Sequence, residues 1–492
     1  MLALALRHTN KLIRRTVAES GTRLGRYFTP RAAAAELAYL LPPTEKEEIR
    51  LLDAGAGTGI LSAAAVEALC KQGAVRRILL DAYETDERML PVLADILERI
   101  RRRAKHDYGV KLIVSIHPTD FLLDARGLAE PRGGGERYDL VLLSPPVGVP
   151  EEGSAAAEFC RRVLPKGTDL ALLFAEAAAA RLSEDGAMAA ILPLSFADSV
   201  NAVPLRERLF ARAPLVSLTL DVGARGARRD KTMLCLFRYG EEPPALRVRV
   251  AKDGGIEELP PIPYHVAVFS EEYKVLLAKS REDVALVRAM NSFPCRLADL
   301  GLSVHTGLAI EARYPECMQP SRAGGAVPLL HPAGLRDGQM EFPPKGREKP
   351  YILPRIPSLA TKNRTMVLVK RVPSRADGRH LVAGVYFSAQ LPRDAMISTA
   401  NKLNVIEGVE EEMTAELASG LAAVLSCSYY ERYCTLTGSF RQVNATALAS
   451  LPLPDRDVIL GIGRRLLAGR NYSLRVTDHV ASSSLASFFG LI

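Results

Sequence analysis

The feature that most constrains the fold is the alternation of strands and helices between residues 30 and 240. Short apolar runs such as "RLLDAG" (50–55) and "YDLVLLSPP" (138–146) alternate with helical stretches such as "ERMLPVLADILERIRRRAKH" (87–106). Strands that alternate with helices in this way form parallel sheets covered by helices on both faces. The sequence therefore predicts an α/β fold with a doubly wound, Rossmann-like sheet.

A change in composition marks the end of this domain. After about residue 240 the long periodic runs give way to short strands, and residues 293–360 are rich in proline, glycine and arginine. A chain of 492 residues is long enough for two or three domains. We therefore predict a first domain over residues 1–240, and an irregular α+β domain with a C-terminal helical tail over residues 241–492.

Charge and cysteine content narrow the functional classes. The net charge of +8 favours an anionic partner, most often nucleic acid. The seven cysteines are scattered singly, without a Cys-x-x-Cys pair, so no metal site is predicted. No apolar run approaches the ~20 residues of a membrane span, and the first residues lack the pattern of a signal peptide. These features predict a cytoplasmic protein with free thiols and no membrane association.

The stretch "LLDAGAGTG" (51–59) predicts a ligand site. It places Asp53 at the end of a strand, and Gly55, Gly57 and Gly59 in the turn before a helix. Glycines allow the backbone to approach a ligand closely at a helix amino terminus. The spacing is G-x-G-x-G and not the G-x-G-x-x-G of dinucleotide sites. A cofactor without a pyrophosphate is favoured, and S-adenosylmethionine fits better than NAD.

Two later strands end in residues that suit the same cofactor. Glu84, in "AYETD", is placed to accept hydrogen bonds from ribose hydroxyls, and Asp120, in "HPTDF", to accept one from an exocyclic amine. Phe121 follows directly and could pack on a purine. Because ligands of open α/β sheets bind at the carboxyl ends of the strands, we expect these side chains at one site.

The fourth strand ends in Ser144-Pro145-Pro146. Proline cannot donate a ladder hydrogen bond and fixes its own φ angle, so the chain has to leave the sheet here. The Ser144 hydroxyl and the Pro145 carbonyl could accept two hydrogen bonds from a planar amino group. Such acceptance would free the nitrogen lone pair for attack on a methyl group without a separate general base.

The order of these motifs resembles that of a known enzyme family. "RLGRYFTP" (23–30), "LLDAGAGTG", "YETD", "HPTDF" and "LLSPP" are similar to the gamma-order adenine-N6 DNA methyltransferases, and most similar to the PstI/BsuBI-like enzymes of type II restriction–modification systems. The resemblance continues through "LADLGLSVHTGLAI" (297–310), "LVKRVPSRADGRHLVAGVYF" (368–387), "NKLNVI" (401–406) and "RQVNATALASLPLP" (441–454). It covers about residues 21–460.

The resemblance implies a role for each matching position. In the family the first motif contacts the methionine end of S-adenosylmethionine, and here it reads Tyr27-Phe28-Thr29-Pro30. Glu84 would contact the ribose, and Asp120 with Phe121 the adenine. The catalytic motif, which holds a flipped adenine, would be Ser144-Pro145-Pro146-Val147. The first domain would thus carry the catalysis, and the second would recognise the target sequence in duplex DNA.

Two departures from the usual Asn-Pro-Pro-Tyr motif leave alternatives open. Serine at position 144 is familiar in cytosine-N4 methyltransferases, so the acceptor could be cytosine. Val147 replaces an aromatic ring that stacks on the base, an interaction worth roughly 1–3 kcal/mol. We expect attenuated activity, with Phe159 or Phe196 as a candidate replacement ring. A homologue that binds cofactor and DNA without catalysis is the other alternative.

Two stretches of the second domain are predicted to bind DNA. Between residues 355 and 380 basic residues outnumber acidic ones, and the candidates for phosphate contacts are Lys370, Arg371, Arg375 and Arg379. In "GSFRQVNATALASLPLP" (438–454) the candidates for contacts with base edges are Arg441, Gln442 and Asn444. No Asp…Glu-x-Lys nuclease core is found, so a cognate restriction endonuclease would be a separate chain.

Overall fold

In the computed structural model a 10-stranded sheet organises the first of two units, Met1–Lys279 and Ser280–Ile492. The structure describes residues 1–20, 28–124, 136–146, 148–154, 157–158, 161, 169–222, 232–252, 255–269, 273–355, 359–374, 377–437 and 443–489. The side chains of residues 15–20, 124 and 200 are outside that description. Among the described residues, no helix is long and apolar enough to cross a membrane.

Twelve strands are described in the first unit: β1 Glu48–Asp53, β2 Arg77–Tyr83, β3 Lys111–His117, β4 Tyr138–Leu143, β5 Leu182–Pro193, β6 Leu215–Leu220, β7 Thr232–Arg238, β8 Ala245–Lys252, β9 Gly255–Glu258, β10 Ile262–Pro263, β11 Val268–Phe269 and β12 Lys274–Val275. Its described helices are α1 Leu2–Ser20, α2 Arg31–Leu40, α3 Ile60–Gln72, α4 Leu90–Tyr108, α5 Phe121–Asp124, α6 Leu170–Ala179, α7 Ser195–Asp198, α8 Val203–Arg212 and α9 Tyr264–Ala267.

The first five strands run parallel to one another. The order of the sheet is β10-β8-β6-β7-β5-β4-β1-β2-β3, with β9 paired to β8, while β11 and β12 pair separately. Strand β7 lies between β5 and β6 and is antiparallel to both. The strand order reverses between β1 and β4, and such a switch point is where open α/β sheets bind ligands. The predicted α/β fold is confirmed.

The first unit extends beyond the domain boundary that we predicted after residue 240. Strand β8 pairs in parallel with β6, and β9 and β10 both pair with β8, so these strands belong to the first sheet. The alternating side chains Leu246, Val248 and Val250 are buried in β8. The structural division therefore falls between Lys279 and Ser280. Short strands gave too weak a sequence signal to place it.

Helix α4 shows how the helices of this unit cover the sheet. Its buried residues recur with the helical period and are Leu93, Ile96, Leu97, Ile100 and Ala104. On the opposite face, Arg99 pairs with Asp95, and Glu98 pairs with both Arg101 and Arg102. The basic run "ERIRRRAKH" is therefore a solvent-facing helix surface.

Two sheets are described in the second unit. One has the order β13-β23-β20-β21-β17-β16 and consists of β13 Leu302–Thr306, β16 Leu335–Arg336, β17 Gln339–Met340, β20 Met366–Lys370, β21 Ala383–Tyr386 and β23 Leu403–Gly408. The other has the order β14-β18-β15-β22-β19 and consists of β14 Met318–Gln319, β15 Val327–Leu330, β18 Tyr351–Ile352, β19 Thr361–Lys362 and β22 Met396–Thr399. The described helices are α10 Arg281–Asn291, α11 Ala415–Leu425, α12 Ser428–Thr437, α13 Ala445–Ala449, α14 Arg456–Gly469 and α15 Leu474–Leu485.

The C-terminal tail packs on this second unit. After α15 the ring of Phe489 is 7% exposed, and its centroid lies 4.2 Å from that of Tyr429 and 6.1 Å from that of Phe293. Phe488 meets Phe293 edge-on at 5.4 Å. Aromatic pairs at these distances add to the energy of apolar burial. Phe489 therefore belongs to the core of its own unit, and Phe488 packs on that core while remaining partly exposed.

Candidate functional site

The carboxyl ends of β1, β2, β3 and β4 lie side by side, because parallel neighbours end at the same edge of a sheet. The turn after β1 is held between its two neighbouring strands. The backbone N–H of Ala54 donates to the carbonyl of Leu142 at 3.3 Å, and that of Ala56 donates to the carbonyl of Tyr83 at 2.8 Å. The turn "AGAGTG" is therefore fixed at the switch point of the sheet.

At two positions of this turn the backbone conformation favours glycine over any other residue. Gly57 and Gly59 have φ angles of +55° and +84°, a region that favours glycine. A Cβ atom on Gly59 would also lie 2.9 Å from Cδ1 of Leu93 in α4. The glycine spacing therefore reflects a left-handed turn that is packed tightly against a helix.

Asp53 is the buried carboxylate of the site. It is 0% exposed, and its Oδ2 accepts a hydrogen bond of 2.6 Å from the Ser62 hydroxyl. Its Oδ1 is buried without a hydrogen-bond partner among the described residues. Burial raises the pKa of Asp53 to about 6, and the Ser62 hydrogen bond opposes that rise. A buried anion with an unused oxygen is suited to a cationic ligand.

Glu84 follows β2 and is half-buried. Its Oε1 accepts hydrogen bonds from the backbone N–H groups of Thr85 at 2.8 Å and Asp86 at 2.7 Å. Its own N–H donates to the carbonyl of His117 at 3.2 Å, which ties the ends of β2 and β3 together. The carboxylate is thus held by its own loop, and the described hydrogen bonds use one of its two oxygens.

Asp120 and Phe121 follow β3. Asp120 is half-buried, and its Oδ1 accepts a hydrogen bond of 2.8 Å from the N–H of Leu122 at the start of α5. The Phe121 ring is 1% exposed, 5.3 Å from the Tyr83 ring and 5.9 Å from the Phe174 ring. The ring is therefore part of an aromatic cluster in the core, and its packing on an adenine stays a prediction.

Ser144 lies beside the glycine turn. Its carbonyl oxygen is 3.8 Å from the point that a Cβ on Gly55 would occupy. The Thr29 hydroxyl donates a hydrogen bond of 3.1 Å to Ser144 Oγ, which joins two motifs that are 115 residues apart in the chain. Pro145 is half-buried and Pro146 is exposed. The structure therefore brings the "FTP", "AGAGTG" and "SPP" motifs together.

The neighbours of Thr29 anchor its motif. Phe28 packs against the apolar core of the unit, and Pro30 directly precedes α2. Tyr27 and Val147 lie outside the described residues, as does Phe159.

Phe196 is excluded as a replacement for the missing aromatic ring. It is 0% exposed, and its ring meets those of Phe210 and Phe237 edge-on at 6.2 and 6.0 Å. An aromatic cluster of this kind is part of the core. The prediction that Phe196 could stack on a flipped base was wrong, because the sequence does not show which way a helix residue such as this one faces.

The basic residues predicted to contact phosphates have partners inside the second unit. Lys370 pairs with Asp377 at 2.7 Å, and both side chains are mostly buried. Arg379 donates to the carbonyl of Ser426 at 2.6 Å, at the C-terminal end of α11, where a positive charge is favourable. Arg375 lies outside the described residues, as do Arg441 and Gln442.

Asn404 is a polar residue that the sequence reasoning did not select. It is 0% exposed in β23, and its Nδ2 donates a hydrogen bond of 2.9 Å to the carbonyl of Val443. Asn444 then caps α13, since its Oδ1 accepts a hydrogen bond of 2.7 Å from the N–H of Ala447. The available signal was an asparagine between apolar residues in "KLNVI", because a polar group in a buried strand needs a specific partner.

The fold and the site define a class. The strand order, the antiparallel β7, the glycine turn after β1 and the acidic ends of β1 and β2 are those of a class I S-adenosylmethionine-dependent methyltransferase. The buried and unpartnered Oδ1 of Asp53 fits the positive charge of that cofactor.

Two relatives that are named as methyltransferases agree with this class. The chain is 23% identical over 461 residues to the type II methyltransferase M.BsuBI of Bacillus subtilis, covering 90% of each chain. It is 25% identical over 485 residues to the type II methyltransferase M.PstI of Providencia stuartii, covering 94% of this chain and 93% of the relative. No protein-family model matches. A solved structure of the type IIL restriction–modification enzyme MmeI in complex with DNA matches with a TM-score of 0.47 at 11% identity, covering 100% of this chain and 74% of the other.

The chain resembles the PstI/BsuBI-type methyltransferases over nearly its whole length, as its motifs indicated, and S-adenosylmethionine is its cofactor.

Proposed function

We propose that the protein is a sequence-specific DNA methyltransferase that methylates N6 of an adenine flipped out of duplex DNA. It would serve as the modification component of a type II restriction–modification system, beside a nuclease on a separate chain. The observation that carries the proposal is the position of Ser144-Pro145-Pro146 at the end of β4, the strand that pairs with β1 and therefore lies next to Asp53.

The residues at this edge of the sheet would have different roles in binding the cofactor and the base. S-Adenosylmethionine supplies the methyl group when it is bound. Asp53 would bind the positive charge of the methionine end, and Glu84 the ribose hydroxyls. Ser144 Oγ and the carbonyl of Pro145 would accept the two N–H groups of the base, which directs the nitrogen lone pair toward the methyl group. One amino proton then leaves to solvent, so no separate base is needed.

The first test is methyl transfer from labelled S-adenosylmethionine to mixed-sequence duplex DNA, followed by nucleoside analysis. Label in N6-methyladenine would support the proposal. Label in N4-methylcytosine would instead support the alternative that Ser144 suggests. Absence of label, with cofactor and DNA both bound, would mean a binding protein without catalysis.

A Val147→Tyr variant distinguishes an enzyme of reduced activity from a protein that has lost catalysis. Restored stacking on the base is expected to raise methyl-transfer activity by about 5- to 150-fold.

The Thr29–Ser144 hydrogen bond gives a second test of the motif. We expect Thr29→Val to lower kcat about 5-fold, because a typical hydrogen bond contributes about 1 kcal/mol and the Ser144 hydroxyl would lose its fixed orientation. Thr29→Ser keeps the hydroxyl and is expected to stay close to the parent. Equal kcat values for the two variants would show that this hydrogen bond does not organise the motif.

A further inference from the structure

Four stretches of the second unit that carried the family resemblance meet at one point, which we call the junction. The N–H of Val443 donates to the carbonyl of Arg371, and the N–H of Arg371 donates to the carbonyl of Lys402, both at 2.9 Å. The N–H of Asn401 donates to the carbonyl of Ala309, also at 2.9 Å. Segments 306–310, 371–374, 401–404 and 443–444 are therefore joined by their backbones.

Hydrogen bonds from a buried side chain, Asn404, and a half-buried one, Arg371, connect the segments of the junction. Asn404 uses both ends of its amide: Nδ2 donates to Val443 at 2.9 Å, and Oδ1 accepts from the Thr306 hydroxyl at 3.3 Å. Arg371 Nη1 donates to the carbonyl of Asn401 at 2.9 Å. The guanidinium of Arg371, which was predicted to contact a phosphate, thus has an internal role.

Several residues of the junction face solvent. Val372, directly after Arg371, is 62% exposed. Lys402 is exposed and forms no ion pair with any described residue, and Asn444 is exposed as well. An uncompensated cation suits a phosphate. An apolar side chain and an amide suit the thymine methyl group and the edges of bases.

We infer that the junction is the surface through which the second unit contacts duplex DNA, with Lys402 on a phosphate and Val372 on a base edge. Asn404 acts as a positioning residue that sets the distance between segments 401–404 and 443–444. This inference rests on the proposed function. Of the basic residues predicted from the sequence, Lys370 is paired with Asp377, and Arg371 and Arg379 each donate to a backbone carbonyl of the unit.

The test begins with the parent protein. Duplexes bound from a random-sequence pool are sequenced, and affinities for the selected site and a scrambled duplex are measured at several salt concentrations. Lys402→Ala is expected to weaken binding to both duplexes and to reduce the slope of log affinity against log salt by about 1. Lys345→Ala, which removes an exposed lysine outside the junction, is the matched control and is expected to leave both values unchanged.

Two further variants separate reading from positioning. Val372→Ala is expected to lower the preference for the selected site by about 4-fold or more, because the removal of apolar contact of methylene size costs a factor of that order, while the salt slope stays the same. Asn404→Leu keeps a similar volume but removes both hydrogen bonds, and it is expected to lose sequence enrichment while the first unit still binds S-adenosylmethionine.

The outcomes distinguish the inference from the proposed function. A parent protein that binds no duplex would overturn both. A parent that binds DNA, together with Lys402→Ala and Val372→Ala variants that behave like Lys345→Ala, would overturn the inference alone. Because Lys402 and Val372 are solvent-facing, their replacement leaves the core intact. The binding measurements on Lys402→Ala and Val372→Ala therefore test the inference even if Asn404→Leu does not fold.

Discussion

Replacing Gly463 by alanine is expected to lower the free energy of unfolding of the second unit by about 3 kcal/mol or more. Gly463 in α14 faces the backbone of α11, and a Cβ atom there would overlap the carbonyl oxygen of Glu416. The arrangement is reciprocal, because a Cβ on Gly420 in α11 would overlap the carbonyl of Ile459 in α14. Overpacking of a core typically costs 1–3 kcal/mol, and backbone atoms on both helices have less freedom to yield than side chains.

The same helix supplies a matched control. Gly461 lies two residues earlier in α14, and a Cβ there would meet nothing within 4 Å. Gly461→Ala should therefore be neutral or stabilising by up to about 1 kcal/mol, since alanine is the better helix former. Denaturant unfolding of both variants makes the comparison. Equal unfolding midpoints would contradict the close crossing of α11 and α14.

Asp53→Asn is expected to have opposite effects on the empty protein and on cofactor binding. The pKa of Asp53 is raised to about 6 by burial, so its ionised form costs about 3 kcal/mol of stability at neutral pH. A neutral amide removes that cost but leaves an N–H group where Oδ1 has no partner. We therefore expect a net gain of about 1–2 kcal/mol in the absence of cofactor.

Cofactor binding should change in the other direction. Loss of the carboxylate is expected to weaken S-adenosylmethionine binding by about 10- to 100-fold, since hydrogen bonds to charged groups contribute roughly 1.5–3 kcal/mol. Calorimetry measures the affinity and thermal unfolding the stability. Asp95→Asn on the solvent-facing side of α4 is the control and should change neither greatly. Unchanged cofactor affinity in Asp53→Asn would remove this residue from the site.

The raised pKa also sets a pH dependence. Above pH 6 the folded protein carries the ionised Asp53 and its desolvation cost in full. As the pH falls below 6 the carboxyl takes up a proton and the cost diminishes, and it vanishes below the ordinary pKa of about 3.9. Affinity for the cationic cofactor should therefore fall as the pH is lowered through 6. A flat affinity profile between pH 5 and 8 would contradict the assignment.

The strand-end site could be predicted because its signals are local. Asp53, the glycines after it, Glu84 and Ser144 each stand at the end of an apolar run, and parallel strands necessarily bring such ends together. The number of strands in the first sheet was harder to predict from the sequence. Strand β8 joins it through pairing with β6, and no local pattern in residues 245–252 indicates which strand will be its neighbour.

The sequence by itself determined the α/β fold, the chemistry of the strand ends and the class of enzyme, because these follow from hydrophobic period, turn residues and motif order. Only the tertiary structure decided which polar groups are already in use. Lys370 and Asp377, or Thr29 and Ser144, look equally available in the sequence, yet each pair is bonded in the folded protein. A side chain's charge is a property of its type, whereas its freedom to meet a ligand depends on partners that folding brings from distant parts of the chain.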